Sequence, residues 1–320
     1  MDVKLSGEQT ELLRSVRGLL QRHRSGATAP GPAEADLPAL QALATAGYTD
    51  VLSAGGSAVD AVLVIEEAAA LAPGAPVAAR AFVGPVVTDT ALPDVLALTE
   101  RPVGAISRFA QQADAFLVLA GDEALLADKS GVDITPVESR WGYPVARVIV
   151  SAGESLGAGS GAALLTSWRI ALAAEAGGLM EAATLHASRY VTVRHQFGKA
   201  IGSLQSIQHR LARAYVLSQG TKWLARRAAW DLTDPVAAAA AACYGAEGIR
   251  EVISTTHQVC GAIGITDEFG LTAYTARLAM LQTELGGSVA HARALAHARW
   301  DERVAGARAG GAELLASQAG

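Results

Sequence analysis

Between residues 189 and 213 the chain reads RYVTVRHQFGKAIGSLQSIQHRLAR. Its centre is Arg194-x-x-Phe197-Gly198-x-x-Ile201-Gly202-x-x-Gln205-x-x-Gln208. It sets a guanidinium, an aromatic ring and two amides around one polar connection between amphipathic helical runs. A guanidinium there can hold a phosphate as a planar fork. An exposed Phe197 can stack on a base, since every base has a π-face. The same residues also describe an ordinary corner between two helices with Phe197 in the core. Taken alone, they favour that plainer reading. Glu175 is the other residue with chemical character. It stands in Ser167-Trp168-Arg169-Ile170-Ala171-Leu172-Ala173-Ala174-Glu175-Ala176-Gly177-Gly178. A carboxylate among small apolar neighbours is hard to explain as a solvated surface group.

The 189–213 segment resembles the C-terminal helical domain of the acyl-CoA dehydrogenase family, whose pattern is R-x-x-F-G-x-x-I-x-x-x-Q-x-x-Q-x-x-L-A. A second family motif follows in the right order. His257-Gln258-Val259-Cys260-Gly261-Ala262-Ile263-Gly264-Ile265-Thr266-Asp267-Glu268 resembles Q-x-x-G-G-x-G-x-x-x-E, with Ala262 in place of the second glycine. Tyr274-Thr275-Ala276-Arg277 resembles the Arg-bearing helix start that comes next. The resemblance is clear over about residues 160–290 and weak before them.

The resemblance implies FAD as cofactor. In the family, the residues matched by Arg194, Phe197, Gln205, Gln258 and Gly261 hold the ADP end of FAD across a dimer interface. The neighbouring subunit's β domain holds the ring. The family's ring-side segments, T-E-P-x-x-G-S-D and W-I-T, have no counterpart here. Thr88-Asp89-Thr90 and Thr99-Glu100-Arg101-Pro102 lack the glycine-serine continuation, and Trp141 stands in another context. Such a chain resembles the short subunits of heteromeric acyl-CoA dehydrogenases that actinobacteria use on steroid-derived CoA thioesters. The implied partners are an acyl-CoA, a longer acyl-CoA dehydrogenase subunit (as an α2β2 tetramer) or a second copy of this chain, and an electron-transfer flavoprotein. The alternative role is a non-catalytic subunit that completes the FAD site of a longer relative.

Desaturating an acyl-CoA needs a carboxylate beside the flavin, within hydrogen-bond reach of the α-proton and dry enough to raise its pKa. Some family members carry it on the first long helix of the C-terminal domain, which points to Glu175. The usual position, in a Y-E-G-T segment, falls on Leu285 when the glycines of Thr283-Glu284-Leu285-Gly286-Gly287 are matched. Glu284 is then one residue off, about 100° around a helix, and is expected to face elsewhere. An Arg on a neighbouring helix would make Glu175 a structural ion-pair partner. A base lent by another subunit is the third option.

Composition sets the frame. The chain has 320 residues, 51% hydrophobic but only 5% aromatic, so its apolar mass is mainly Ala, Val and Leu, suited to closely packed helices. A net charge of −5 gives no basis for binding nucleic acid or a lipid surface. No apolar run reads as a membrane span. Two separated cysteines, Cys243 and Cys260, make neither a disulfide framework nor a metal site and fit a reducing cytoplasm. Cys260 reads as a small buried thiol.

The element pattern predicts a mainly α protein with a small β domain. A helical N-terminal domain spans 1–99, a reduced β domain 100–153, and a four-helix-type bundle 154–320. Ser6 with Gln9 caps the first helix, and helices follow near 36–46 and 57–72. Strands are expected at 103–107, 115–119, 132–137 and 146–150. Gly153–Gly161 reads as a linker. Helices are expected near 162–193, 203–228, 235–260, 266–284 and 286–308, the third capped by Asp234 with Pro235 in its first turn. Arg22, Arg24, Arg226 and Arg227 are expected on solvated faces.

Overall fold

The computed structural model describes residues 4–26, 34–140 and 143–300. The expectations for Trp141, for the side chain of Arg24 and for residues 301–308 of the last helix lie outside the described residues.

The order is α, then β, then α. Helix α1 (Gly7–Gly26) starts on the expected reciprocal cap, with Gln9 N–H donating to Ser6 Oγ at 3.1 Å and Ser6 N–H to Gln9 Oε1 at 3.1 Å. Helix α2 (Leu37–Thr45) is capped by the Asp36 carboxylate, which accepts from the Ala39 amide. Helix α3 (Ala58–Leu71) carries a full capping box from Ser57 and Asp60. After the Pro73–Pro76 break, a π-helical turn (Ala79–Val83) leads into α4 (Gly84–Val87).

The β region holds two sheets. Strands β1 (Leu96–Thr99), β3 (Ala115–Ala120), β4 (Glu123–Asp128) and β7 (Glu154–Ala158) form one, in the order β1-β3-β4-β7, with only β1 and β3 parallel. Strands β2 (Val103–Arg108), β6 (Val145–Val150) and β5 (Val132–Pro136) form the other, wholly antiparallel. The strands reach beyond 100–153 on both sides. The stretch read as a glycine-rich linker contains β7, whose residues pair with β4 through a register shift. Gly161 is required there by close approach: a Cβ would sit 2.5 Å from the Gly121 carbonyl oxygen.

The bundle consists of α5 (Ser160–Val193), α6 (Gln205–Trp230), α7 (Pro235–Cys260), α8 (Thr272–Leu281) and α9 (287–300). Asp234 caps α7 by accepting from Ala237 N–H at 2.9 Å, with Pro235 as its first residue. Helix α5 is 34 residues long and buries side chains all round: Trp168 and Leu172 on some turns, Met180 and Ala183 on others. It packs on α3, α6, α7 and α8 at once. A helix enclosed on every side carries no amphipathic stripe.

Small residues make this enclosure possible. A Cβ on Gly178 would lie 2.3 Å from the Glu66 carbonyl oxygen of α3, and one on Gly177 would lie 2.6 Å from Lys222 Cγ of α6. A buried ionic network forms at the same level. Glu66, 1% exposed, accepts two hydrogen bonds from Arg226 of α6, and Lys222 Nζ lies 3.4 Å from it and 2.7 Å from Glu181. Arg226 is therefore not on a solvated face. It is 6% exposed, with its guanidinium 4.7 Å from the Trp223 ring centroid. Lys222 and Arg226, four apart, line the stripe of α6 that meets α3, where Glu66 stands inside an apolar helix. Removing one member of such a buried pair costs about 3–5 kcal/mol, because the other is left uncompensated.

The glycines give a direct test. Gly178→Ala gains about 1 kcal/mol of helix propensity but drives a methyl into a backbone carbonyl that cannot swing aside. Overpacking of about 1–3 kcal/mol should win, and Tm should fall by a few degrees. Gly248→Ala in α7 meets Met180 Sδ at an ordinary 3.5 Å and should raise Tm instead. Equal melting temperatures for the two variants would show that α3 and α5 are not in close contact at Gly178.

Candidate active site and nucleotide-binding edge

Both carboxylates considered as the base lie in one cluster. Arg108, the last residue of β2, enters between α5 and the turn after α8. Its Nη2 donates to Glu175 Oε2 at 2.9 Å and to Glu284 Oε2 at 3.4 Å, its Nη1 lies 3.4 Å from Glu175 Oε1, and its Nε pairs with Glu284 Oε1. The three side chains are only 10–12% exposed. Tyr143 adds its hydroxyl to Arg108 Nη1 at 3.3 Å, and the guanidinium lies 5.8 Å from the Phe109 and Tyr143 ring centroids. Trp168 Nε1–H donates to Glu284 Oε2 at 3.0 Å.

Two expectations change here. Glu175 is engaged by an arginine, and the arginine comes from a strand rather than a neighbouring helix. Glu284 faces the same pocket as Glu175 rather than elsewhere. A 100° offset between neighbours holds only in a continuous helix, but α8 ends at Leu281 and Glu284–Gly286 is a single 3-10 turn. Leu285 adopts φ 52°, and Gly286 and Gly287 adopt φ 80° and 68°. This left-handed run turns Glu284 inward. Glu100, in a stretch that lacks the continuation of the ring-side segment, braces the turn by accepting from Leu285 N–H at 2.5 Å. Thr99 is fully buried and bonded to Ser107 Oγ at 2.9 Å.

The cluster borders a cavity of about 30 Å³, walled by Ala78, Ala79, Leu96, Ile106 and Ala171. That is room for roughly one or two water molecules. One guanidinium faces two carboxylates in it. Burial pushes the Glu284 carboxyl up; Arg108 opposes this and Glu175 adds to it. Arg108 itself is held well above its ordinary value, the two carboxylates outweighing its burial.

The ADP-side residues lie elsewhere, at one end of the bundle. Helices α5 and α7 end there and α6 begins there. Arg194 follows the last turn of α5 and is exposed, with no side-chain partner among the described residues. It opens a two-residue hairpin in which His195–Gln196 pairs with Lys199–Ala200. Phe197 and Gly198 form the turn at φ 55° and 76°, the all-positive pair of a type I′ turn. Phe197 is not in the core: at 87% exposure it stands in water. Gln205 opens α6, Gln258 lies on the last turn of α7, and both are exposed. Gly261 ends α7 at φ 66°, ψ −147°, a conformation suited to glycine. An unpaired guanidinium, a bare aromatic face and two exposed amides fit the pyrophosphate and base of an adenosine diphosphate. Cys260 is buried as expected, its thiol pushed up to about 11 by burial.

Comparison with known proteins agrees with this architecture. The family model for the acyl-CoA dehydrogenase C-terminal domain matches residues 157–300. Acyl-CoA dehydrogenase FadE34 of Mycobacterium tuberculosis is 30% identical over 95% of this chain and 48% of its own length, so the chain spans about half of that relative. A variant of the Tcur3481-Tcur3483 steroid ACAD shares the fold at a TM-score of 0.77 and 22% identity, covering 93% of this chain and 99% of that one. The ChsE4-ChsE5 complex of M. tuberculosis does so at 0.76 and 21%, covering 95% and 99%. The chain belongs to the acyl-CoA dehydrogenase family.

The charge imbalance of the cluster has a measurable consequence. Glu284 has a higher pKa folded than unfolded, so the folded chain holds that proton more tightly. Its ionisation therefore costs stability above the folded value, and the cost vanishes as pH falls to the unfolded one. Glu284→Gln keeps an acceptor for Trp168 and does not titrate. Between pH 5 and pH 8 the urea midpoint of the wild type should fall relative to that of the variant. The opposite trend would mean that Arg108 outweighs burial.

Proposed function

We propose that this chain is a subunit of an FAD-dependent acyl-CoA dehydrogenase that introduces an α,β double bond into a CoA thioester. It works paired with a longer relative in an α2β2 assembly that passes its electrons to an electron-transfer flavoprotein. The observation that carries this reading is the exposed end of the bundle, where Arg194, Phe197, Gln205, Gln258 and Gly261 are offered to a nucleotide held by another subunit. Arg194 would grip the pyrophosphate, Phe197 would cover the base, and Gln205 and Gln258 would hydrogen-bond the remainder. Bound FAD supplies the hydride acceptor for the β-carbon. The substrate is a bulky acyl-CoA, steroid-derived thioesters included; the support is the family, together with the fold shared with the Tcur3481-Tcur3483 steroid ACAD. The reaction is performed in the cytoplasm.

The α-proton needs a carboxylate. Glu175 is this chain's candidate, but both of its carboxylate oxygens are already engaged by Arg108. That contact favours the second reading, in which the chain completes a partner's FAD site and the partner removes the proton.

Two variants test these roles in the assembled enzyme. Arg194→Ala removes a charge-assisted fork worth on the order of 2–3 kcal/mol, so FAD affinity should fall roughly 30-fold or more. Undiminished flavin occupancy at limiting FAD would remove Arg194 from the site. Glu175→Gln should leave turnover within a few-fold of normal if the partner supplies the base. A loss of about 10²–10⁴-fold with FAD still bound would instead identify Glu175 as the base.

A further inference from the structure

We infer that His257 is a positioning residue for the nucleotide edge: its neutral ring locks the turn after α7 onto α8 and so holds Gln258 and Gly261 in place for an adenosine diphosphate. The inference rests on the FAD reading for the class of ligand; the lock is read from the side chains. His257 lies on the last turn of α7, directly before Gln258. Its backbone carbonyl accepts from the Gly261 N–H, which closes the helix. The ring makes separate contacts on two sides. Nε2 lies 3.0 Å from Thr275 Oγ1 of α8. On the other side is Gly264, buried in the 3-10 turn Gly261–Ile265. A Cβ on Gly264 would lie 3.5 Å from His257 Nδ1 and 3.1 Å from Cys260 Cβ.

The hydrogen bonds assign the proton. The Thr275 hydroxyl donates to the Leu271 carbonyl at 3.4 Å, so its oxygen accepts from His257 Nε2–H. Nδ1 is then the bare nitrogen of a neutral imidazole. It is buried and has no hydrogen-bond partner among the described residues. An imidazolium would carry a second N–H there, against Gly264 and without an acceptor, which a buried donor tolerates poorly. The surroundings add no charge to offset this. The turn Gly261–Ile265 has no ionisable side chain, and the Cys260 thiol, pushed up to about 11, stays neutral. On α8, Arg277 is directed to Glu34 and the Tyr143 ring, and Tyr274 to His186. Asp267 and Glu268, beyond the turn, are exposed. Burial alone acts on His257 and lowers it below the usual imidazole value. Acid therefore loosens the turn at its ring contact. Arg194 belongs to a different element, at the end of α5.

The test is FAD affinity of the flavin-free assembly, read by flavin fluorescence at pH 8 and at pH 5. His257→Gln keeps a donor near the Nε2 position and does not titrate. His257→Phe keeps the ring and loses the donor, and Thr275→Val removes the acceptor. At pH 8 His257→Gln should bind FAD within about 2-fold of wild type, while His257→Phe and Thr275→Val should each bind roughly 5-fold more weakly, as for one lost hydrogen bond. His257→Phe combined with Thr275→Val should be no weaker than either alone, since both remove the same contact. From pH 8 to pH 5 the wild type should lose at least ~2-fold more affinity than His257→Gln. That difference separates His257 from His195 and His209, which both proteins share, and a merely structural role would not produce it. Undiminished affinity in His257→Phe, additive losses in the double variant, or equal pH profiles for wild type and His257→Gln each overturn the inference. Failure of the FAD reading itself would appear separately, as FAD affinity indifferent to Arg194→Ala.

Discussion

Close approach of helices at the middle of α5 is the constraint on which the rest of the molecule depends. Two adjacent glycines admit α3 on one side and α6 on the other, nearer than any side chain would allow. The ionic network of Glu66, Lys222, Arg226 and Glu181 is built on that approach. It joins the N-terminal helices to the bundle through buried charges, whose geometry is satisfied in one arrangement only. Apolar packing alone would tolerate sliding; a bidentate carboxylate–guanidinium contact does not. Glu175 lies a few residues from the glycines on the same helix, so the candidate site inherits its position from this joint.

Much of this was legible from residue types. Caps at Ser6 and Asp234 placed two helix starts to within a residue or two, because each satisfies amides the helix cannot, and the helices expected from 36 and 57 start at Leu37 and Ala58. The motif around Arg194 pointed to a helix, a turn and a second helix, and that is their order. What escaped was non-local. Arg226 reads as a surface residue until Glu66 is brought opposite it, and the one clue was a glutamate inside the apolar run of α3. Strand β7 escaped because it lies in a stretch where Gly153, Gly157, Gly159 and Gly161 signal a loop rather than a strand. Glu284 escaped for a geometric reason: α8 stops at Leu281, and the short 3-10 turn that follows breaks the helical phase on which its direction was judged.

The two candidate sites are electrostatic opposites. At the hairpin end a cation and an aromatic ring face solvent without partners among the described residues, which suits them to a ligand brought from outside. At the β2 end a cation is surrounded by two carboxylates and two rings, one of them a phenol, and has nothing left to offer. Phe197, like Leu285 a left-handed non-glycine residue, sits at the open site. There the strained turn holds an aromatic face outward; at the β2 end similar strain holds charges inward. Such a division of labour is consistent with a chain whose contribution is made to a neighbour's chemistry.

Helix α5 links these two places as a single lever. Arg194 lies nineteen residues beyond Glu175. At about 1.5 Å per residue the arm is roughly 28 Å long, without a proline to kink it. A tilt of one degree about the Arg108 contact moves the far end by about 0.5 Å, comparable to the tolerance within which a phosphate-gripping fork must be held. Repacking around the buried glycines is thus mechanically amplified at the nucleotide edge, and a substitution that touches no ligand can shift affinity there through leverage alone.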